Sequence, residues 1–314
     1  MTMSDPTIDP TDPVFISYRQ SDGTDITAEL AWLLRAAGIP VWRDRDDLPP
    51  GDTEERLGQA IADGLSGGVL VITPEVVKSE IVKRVEAPKL LELHRQYPPF
   101  ALGIANAIEA SPGHLDHSAP DTLLGQRPNT LTRVDQHPSD RNGLLVLVKR
   151  LLWHRIAQRR DAVEEAGNTL TLTIQTRNTP QVYDRCHRTG SELDIRLRPS
   201  VHERLPSFQG LQDLADVIAL LPDAATRSGA DRVRIKGGAH LSVAFTVGAS
   251  FPSSRLGHLE VIDQRGHLWS SAGEARMPQT RSLTVETERS NHSPIRAGRP
   301  AVAVYVDSLP RRSL

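Results

Sequence analysis

The sequence predicts an α/β protein made of two parallel-sheet regions, and three observations carry that prediction. From Val14 onward, short apolar runs alternate with amphipathic segments, the signature of a βαβ series that puts helices on both faces of a sheet. The alternation resumes at "TLTLTIQTR" (169–177) after a long helical pattern. The chain has 314 residues, enough for two domains of ordinary size, each burying its own core.

Taken in order, "VFISY" (14–18) is the first strand and "DITAELAWLLRAAG" (25–38) the first helix, with Ile26, Leu30, Leu33 and Leu34 on one stripe and Gly38 as its stop. "IPVWR" is the second strand, "TEERLGQAIADG" a short helix capped by Asp52 or Thr53, and "GGVLVIT" (67–73) the third strand. "EVVKSEIVKRVEAPKLLELHRQ" is helical but interrupted at Pro88, which has no N–H to donate. "FALGIANAI" (100–108) is the fourth strand, 109–129 a surface loop and "NTLTRVD" the fifth strand. "GLLVLVKRLLWHRIAQRRDAVEEAG" (143–167) is a long helix that connects out of the first region. Beyond it, "SELDIRLRPS" reads as a strand, "LQDLADVIALLPDAATRSG" as a helix, and "DRVRIKGGAHLSVAFTVGASF" as a strand, a Gly-Gly turn and an apolar helix. "GHLEVIDQRGHLWSS" reads as a hairpin turning at Gln264 to Gly266, and "RPAVAVYVDSLP" as a last strand. The boundaries expected are a disordered tail over 1–12, a first domain over 13–155, a helical connector over 156–168 and a second domain over 169–314.

The composition is that of a soluble globular chain: 38% hydrophobic, 24% charged, net charge −2. No apolar run approaches the roughly 18 residues of a membrane span. The first thirteen residues, "MTMSDPTIDPTDP", lack the basic start and apolar stretch of a signal peptide, so a cytoplasmic location is expected. A single cysteine, Cys186, excludes an internal disulfide framework and a multi-Cys zinc site. The near-neutral balance gives no footprint for a long nucleic acid.

Neither G-x-G-x-x-G after the first strand nor a Walker A sequence is present, which argues against a dinucleotide Rossmann fold and a P-loop NTPase. A doubly wound sheet binds ligands at the carboxyl ends of its strands, and those ends carry Ser17, Tyr18, Arg19 and Gln20, then Trp42, Arg43 and Asp44. The charged, proline-rich stretch "VWRDRDDLPPGD" (41–52) has neither helical nor alternating pattern. "HLDH" (114–117) has metal-ligand residue types without supporting carboxylate or Cys, so no metal is expected, and Cys186 beside His187 on a strand or turn would point apart from it. In the second region Gly237 and Gly238 let a backbone approach a ligand, the following helix N-terminus favours phosphate, and Lys236, His240 and Arg177 are the polar neighbours. A tight βα turn is the alternative reading of the glycine pair.

"VFISYRQSDG", "GIPVWRDRDDLPPGD", "LSGGVLVITPEVVKS" and Glu86, in this order and spacing, resemble a Toll/interleukin receptor (TIR) domain of the bacterial enzymatic kind over about 140 residues. The resemblance implies a flavodoxin-like sheet, a BB loop at Asp44 to Asp52 that caps the substrate cleft and contacts a neighbouring TIR domain, and cleavage of NAD+ with Glu86 as catalytic residue. In such domains the glutamate usually follows a Trp by four positions; here Val82 holds that position, and Glu80 is the competing acid. Nicotinamide is already a cationic leaving group, so one carboxylate that stabilises an oxocarbenium-like ribose suffices. Arg19 would meet the pyrophosphate, Trp42 a ring, Tyr18 would line the cleft, and Asp44, Arg45 and Asp47 would gate it. A core role for Trp42 and a solvated turn for the loop are the plainer alternatives.

"LTIQTRN", "SELDIRLRP", "RIKGGAHLSVAFTVGASFP" and "HLEVIDQRGHLW" resemble a SAVED domain, a CARF-like α/β sensor of cyclic oligonucleotides in CBASS antiphage systems. The resemblance covers mainly the first of two CARF-like halves, so the expectation is a trimmed or short sensor. Together the resemblances imply an NAD+ glycohydrolase without a cofactor, switched on by a cyclic oligonucleotide, with cyclic tri-adenylate as the expected activator. Head-to-tail self-association into oligomers or filaments would assemble the cleft. A non-enzymatic TIR scaffold is the rival; a phosphorelay receiver is the weaker alternative, because Tyr18, Arg19 and Gln20 stand where its acids would be.

Overall fold

The computed structural model describes residues 8–43, 58, 61, 64–177, 189–201, 205–251, 256–263 and 265–272. Two five-stranded sheets organise them. In the first, β1 (Val14–Ser17), β2 (Val41–Arg43), β3 (Gly67–Ile72), β4 (Ala101–Asn106) and a later strand, β7 (Asp135–Pro138), run parallel in the order β2-β1-β3-β4-β7. This is the flavodoxin-like doubly wound order, and its switch point falls between β1 and β3. Helix α1 (Gln20–Ala36) joins β1 to β2 and starts five residues earlier than its apolar stripe suggests, because polar residues occupy its first turn. Of the helix expected before β3, only Gly58 and Ile61 are described, both helical.

After β3 a 3-10 turn (Pro74–Lys78) leads into a continuous helix rather than one broken at Pro88. Val82–Glu86 is a π turn closed by Ala87 N–H donating to Val82 O, and α2 (Ala87–Gln96) follows. The wide turn absorbs the proline: Pro88 sits in the first turn of the α segment, where a missing N–H costs least.

The span 109–129 is more than a loop. It contains a hairpin, β5 (Glu109–Ser111) with β6 (His114–Leu115), and a short helix, α3 (Ala119–Leu123), whose buried Asp121 accepts from Leu131 N at 2.6 Å and Thr132 Oγ1 at 2.8 Å. Those bonds hold 131–132 in a turn, so the fifth strand of this sheet is "DQHP" and not "NTLTRVD". Helix α4 (Arg141–Gln158), capped by Asp140 accepting from Gly143 N, ends at Arg159, and α5 (Arg160–Glu165) replaces the rest of the expected long helix.

The second sheet runs β12-β11-β10-β8-β9. Strands β8 (Thr169–Gln175), β9 (Leu193–Arg196), β10 (Arg232–Gly238) and β11 (His258–Ile262) are parallel, and β12 (Leu268–Ser270) returns antiparallel as the hairpin expected. Its parallel core repeats the order of the first sheet, with a switch point between β8 and β10. The helix expected over 211–229 is two: α6 (Phe208–Val217) and α7 (Leu220–Ser228), the latter with Pro222 in its first turn and Gly229 ending it at φ +79°. Helix α8 (Leu241–Ser250) follows β10. The final strand-like run at 299–310 lies outside the described residues.

The two sheets share one core. A single cluster runs from Val14, Leu33 and Leu34 through Leu147, Leu151 and Leu152 of α4 to Leu172, Leu193, Ile195 and Val233 of the second sheet. Burial of each such side chain contributes about 1.5–3 kcal/mol. A second cluster fills the opposite face of the first sheet with Phe15, Trp42, Leu70, Ile72, Val76 and Val82. No helix among the described residues is long and apolar enough to cross a membrane.

Candidate functional site

Strand alternation sends Phe15 and Ser17 to one face of the first sheet and Tyr18 to the other. Tyr18 is 8% exposed and packs in the shared core, its Cβ 3.4 Å from where a Cβ at Gly23 would stand. Ser17, the last residue of β1, meets the helix that follows β3. Its hydroxyl donates to Glu86 Oε2 at 2.5 Å, and the two residues are 1% and 4% exposed. The predicted acid therefore lies at the switch point, at the end of the π turn. Glu80 forms ion pairs with Lys83 and Arg84 on the exposed side of the same helix.

A polar bridge joins the ends of β1 and β3 above this pair. Arg19 Nε donates to Ser21 Oγ at 2.6 Å and lies 3.6 Å from Glu75 Oε2. Asp22 accepts from Thr73 Oγ1 at 2.8 Å and from Glu75 N at 2.9 Å. The Lys78 and Ser21 hydrogen bonds hold the Glu75 carboxyl below its usual range. Sequence reading placed Ser17 at a strand end but gave it no role, and missed Ser21, Asp22, Thr73 and Glu75; strand parity was the available signal for Ser17. Trp42, paired in register with Phe15, is 6% exposed and lies in the apolar cluster. Asp44, Arg45 and Asp47, with the rest of the BB loop, lie outside the described residues, as do Cys186 and His187.

Beside this region an open cleft of about 410 Å³ is lined by Pro74, Ile108, Asp116, Ala119, Thr122 and Leu123. The carboxylate of "HLDH" serves local structure there: Asp116 Oδ1 accepts from Ser118 Oγ at 2.6 Å and from Ala119 N at 3.1 Å. Among the described residues no three His, Cys, Asp or Glu side chains group as metal ligands.

The second switch point gathers the other candidates. Thr176 and Arg177, just past β8, donate their N–H groups to Gly238 O at 3.0 and 3.3 Å. His240 N donates to Thr176 Oγ1, and His240 Nδ1 shares a second 2.9 Å contact with the same hydroxyl, so the buried His240 ties α8 to β8. Lys236 Nζ donates to Thr189 O at 3.0 Å. Gly237 has φ +113° and a Cβ there would lie 2.3 Å from Ile174 O, whereas a Cβ at Gly238 would meet nothing within 4 Å. The first glycine is demanded by strand packing and the second opens onto space. Arg177 is exposed beside them.

Residues 14–102 match the TIR domain family. Within that matched segment stand Ser17, Arg19, Trp42 and Glu86. Over 82 residues, 25% of the chain, the sequence is 38% identical to the NAD(+) hydrolase PdTIR of Paracoccus denitrificans, and it spans only about a quarter (26%) of that relative's length. Two solved structures of the Acinetobacter baumannii Cap4 SAVED/CARF-domain containing receptor, one with the cyclic trinucleotide 3'3'3'-cAAA, cover 81% of this chain and 73% and 70% of their own. Each is 10% identical to it with a TM-score of 0.25, too low to carry fold or ligand over.

Proposed function

We propose that the chain is an NAD+ glycohydrolase, switched on by a cyclic oligonucleotide, that converts NAD+ and water to nicotinamide, ADP-ribose and a proton, or NAD+ alone to nicotinamide, cyclic ADP-ribose and a proton. The observation that carries the reading is Glu86: an acid on the helix after β3, held at the switch point inside the segment that matches the TIR family. The 38% identity with an NAD(+) hydrolase supports the substrate. As the nicotinamide bond lengthens, positive charge grows on the ribose; the Glu86 carboxylate stabilises it, and water, or for the cyclic product a nucleophile within the ADP-ribose itself, forms the new bond at the anomeric carbon. Arg19, at the mouth of the strand ends, meets the pyrophosphate.

The TIR domain extends over 13–155, the connector over 156–168, and the sensor begins at 169. The sensor takes its ligand, cyclic tri-adenylate by preference, at the β8/β10 switch point through Arg177, Lys236, Gly238 and His240. Glu86 is 4% exposed, so substrate reaches it only after a rearrangement, which head-to-tail assembly through the 44–52 loop supplies. The same burial is the one observation that favours a non-enzymatic scaffold. Turnover of NAD+ by the purified chain, lost in Glu86→Gln, separates the two readings.

A further inference from the structure

We infer that Ser17 is a positioning residue for this reaction, fixing the Glu86 carboxyl by one oxygen so that the glutamate presents a single orientation to the ribose. The inference rests on the NAD-cleaving reading of Glu86 for its kinetic consequence and on geometry for the contact itself. Ser17 closes β1, which pairs with β2 on one side and β3 on the other, so its backbone is fixed by the sheet. Glu86 is fixed from the other direction by the Ala87-to-Val82 hydrogen bond and by Pro88. The two side chains, 69 residues apart in sequence, meet at 2.5 Å with almost no solvent on either.

A packing role does not account for this hydroxyl. Its side of the sheet is otherwise filled by Phe15, Leu70, Ile72 and Val82, where an apolar side chain would avoid the cost of burying a polar group. The serine hydroxyl donates to Glu86 Oε2, and for the carboxylate that the proposed reaction uses, a bond to an ionised acceptor is about twice as strong as a neutral one. Removing the hydroxyl takes one hydrogen bond from a buried carboxyl and weakens the hold on that carboxyl's orientation. Ser17 touches no substrate in this arrangement; it acts through Glu86.

Ser17→Thr and Ser17→Val have the same shape and differ by the hydroxyl, so any strain from the extra methyl cancels in their ratio. With the full chain and cyclic tri-adenylate, kcat in the Val variant falls below that in the Thr variant by about 10- to 100-fold, while KM stays within about threefold. The carboxyl carbon-13 signal of Glu86, assigned by its disappearance in Glu86→Gln, moves in the Val variant and holds its position in the Thr variant. Identical signals in the two variants overturn the inference, whatever the kinetics. Equal kcat values in an active enzyme overturn it as well. Should the wild-type chain cleave no NAD+ with any ligand, the NAD reading fails, and the carbon-13 comparison alone decides the contact. If both variants unfold, Ser17→Ala against the wild type takes their place with the same criteria.

Discussion

The backbone N–H of Asp194 donates to the carbonyl of Gly38 at 2.8 Å, tying β9 of the second sheet to the turn that feeds β2. β2 follows that turn directly and is paired in register with β1, so the contact fixes one edge of the first sheet against β9. Gly38 is required there: its φ is +87°, and an added Cβ would stand 2.7 Å from Leu193 Cβ. Left-handed strain of about 1–2 kcal/mol and a clash of similar size make Gly38→Ala destabilising by about 2–4 kcal/mol. Thermal unfolding checks this, with a fall in Tm of about 5 to 15 °C expected.

A second tie is ionic. Glu29 of α1 pairs with both Arg141 and Arg198, and Asp213 of α6, only 3% exposed, takes Arg198 Nε at 2.6 Å and Arg141 at 3.2 Å. Arg198→Ala leaves Asp213 with one cation instead of two, for a loss of about 1–2 kcal/mol after allowing for the half-exposed partners. Denaturant unfolding measures it; an unchanged midpoint would mean the network is spectator charge.

Titration of the β11–β12 hairpin has a definite sign. Hydrogen bonds from His267 N, then from the Trp269 indole and from Arg265 N, depress Asp263 from 3.8 to about 2. The folded value is the lower one, so the carboxylate's contribution is present above about 3.8 and is lost as pH falls through about 2. The indole N–H proton signal of Trp269 should shift with a midpoint near 2, and in Asp263→Asn it should no longer respond.

At the second switch point Arg177 is exposed, so Arg177→Ala tests binding without a folding cost. Calorimetric titration with cyclic tri-adenylate should show affinity reduced about 10- to 100-fold, as for loss of a charged phosphate contact, with Tm unchanged in the absence of ligand. Equal affinity would move the ligand site elsewhere.

The strands of both parallel cores were legible because Val14–Ser17, Gly67–Ile72 and Thr169–Gln175 carry dense apolar or alternating runs that the sheets then bury. The fifth strand of the first sheet was not. "NTLTRVD" has strand-like composition, yet Asp121 takes the N–H of Leu131, and the edge strand is instead "DQHP", where Gln136 is buried by bonding Asn106. Such side-chain capture of backbone groups comes from a residue ten positions away and leaves no periodic trace. The site divided in the same way. Glu86 was reached by family resemblance and Ser17 was noted only as a polar strand end, since its contact appears only when strand parity and the π turn bring position 17 against position 86.

The most direct test of the central claim is NAD+ consumption by the purified full chain, with and without a panel of cyclic oligonucleotides, beside Glu86→Gln. The account predicts turnover that requires one ligand and falls at least about 100-fold in the variant, the size expected for loss of the principal charge-stabilising group. Ligand binding and assembly with no NAD+ cleavage, or cleavage undiminished in Glu86→Gln, would contradict it.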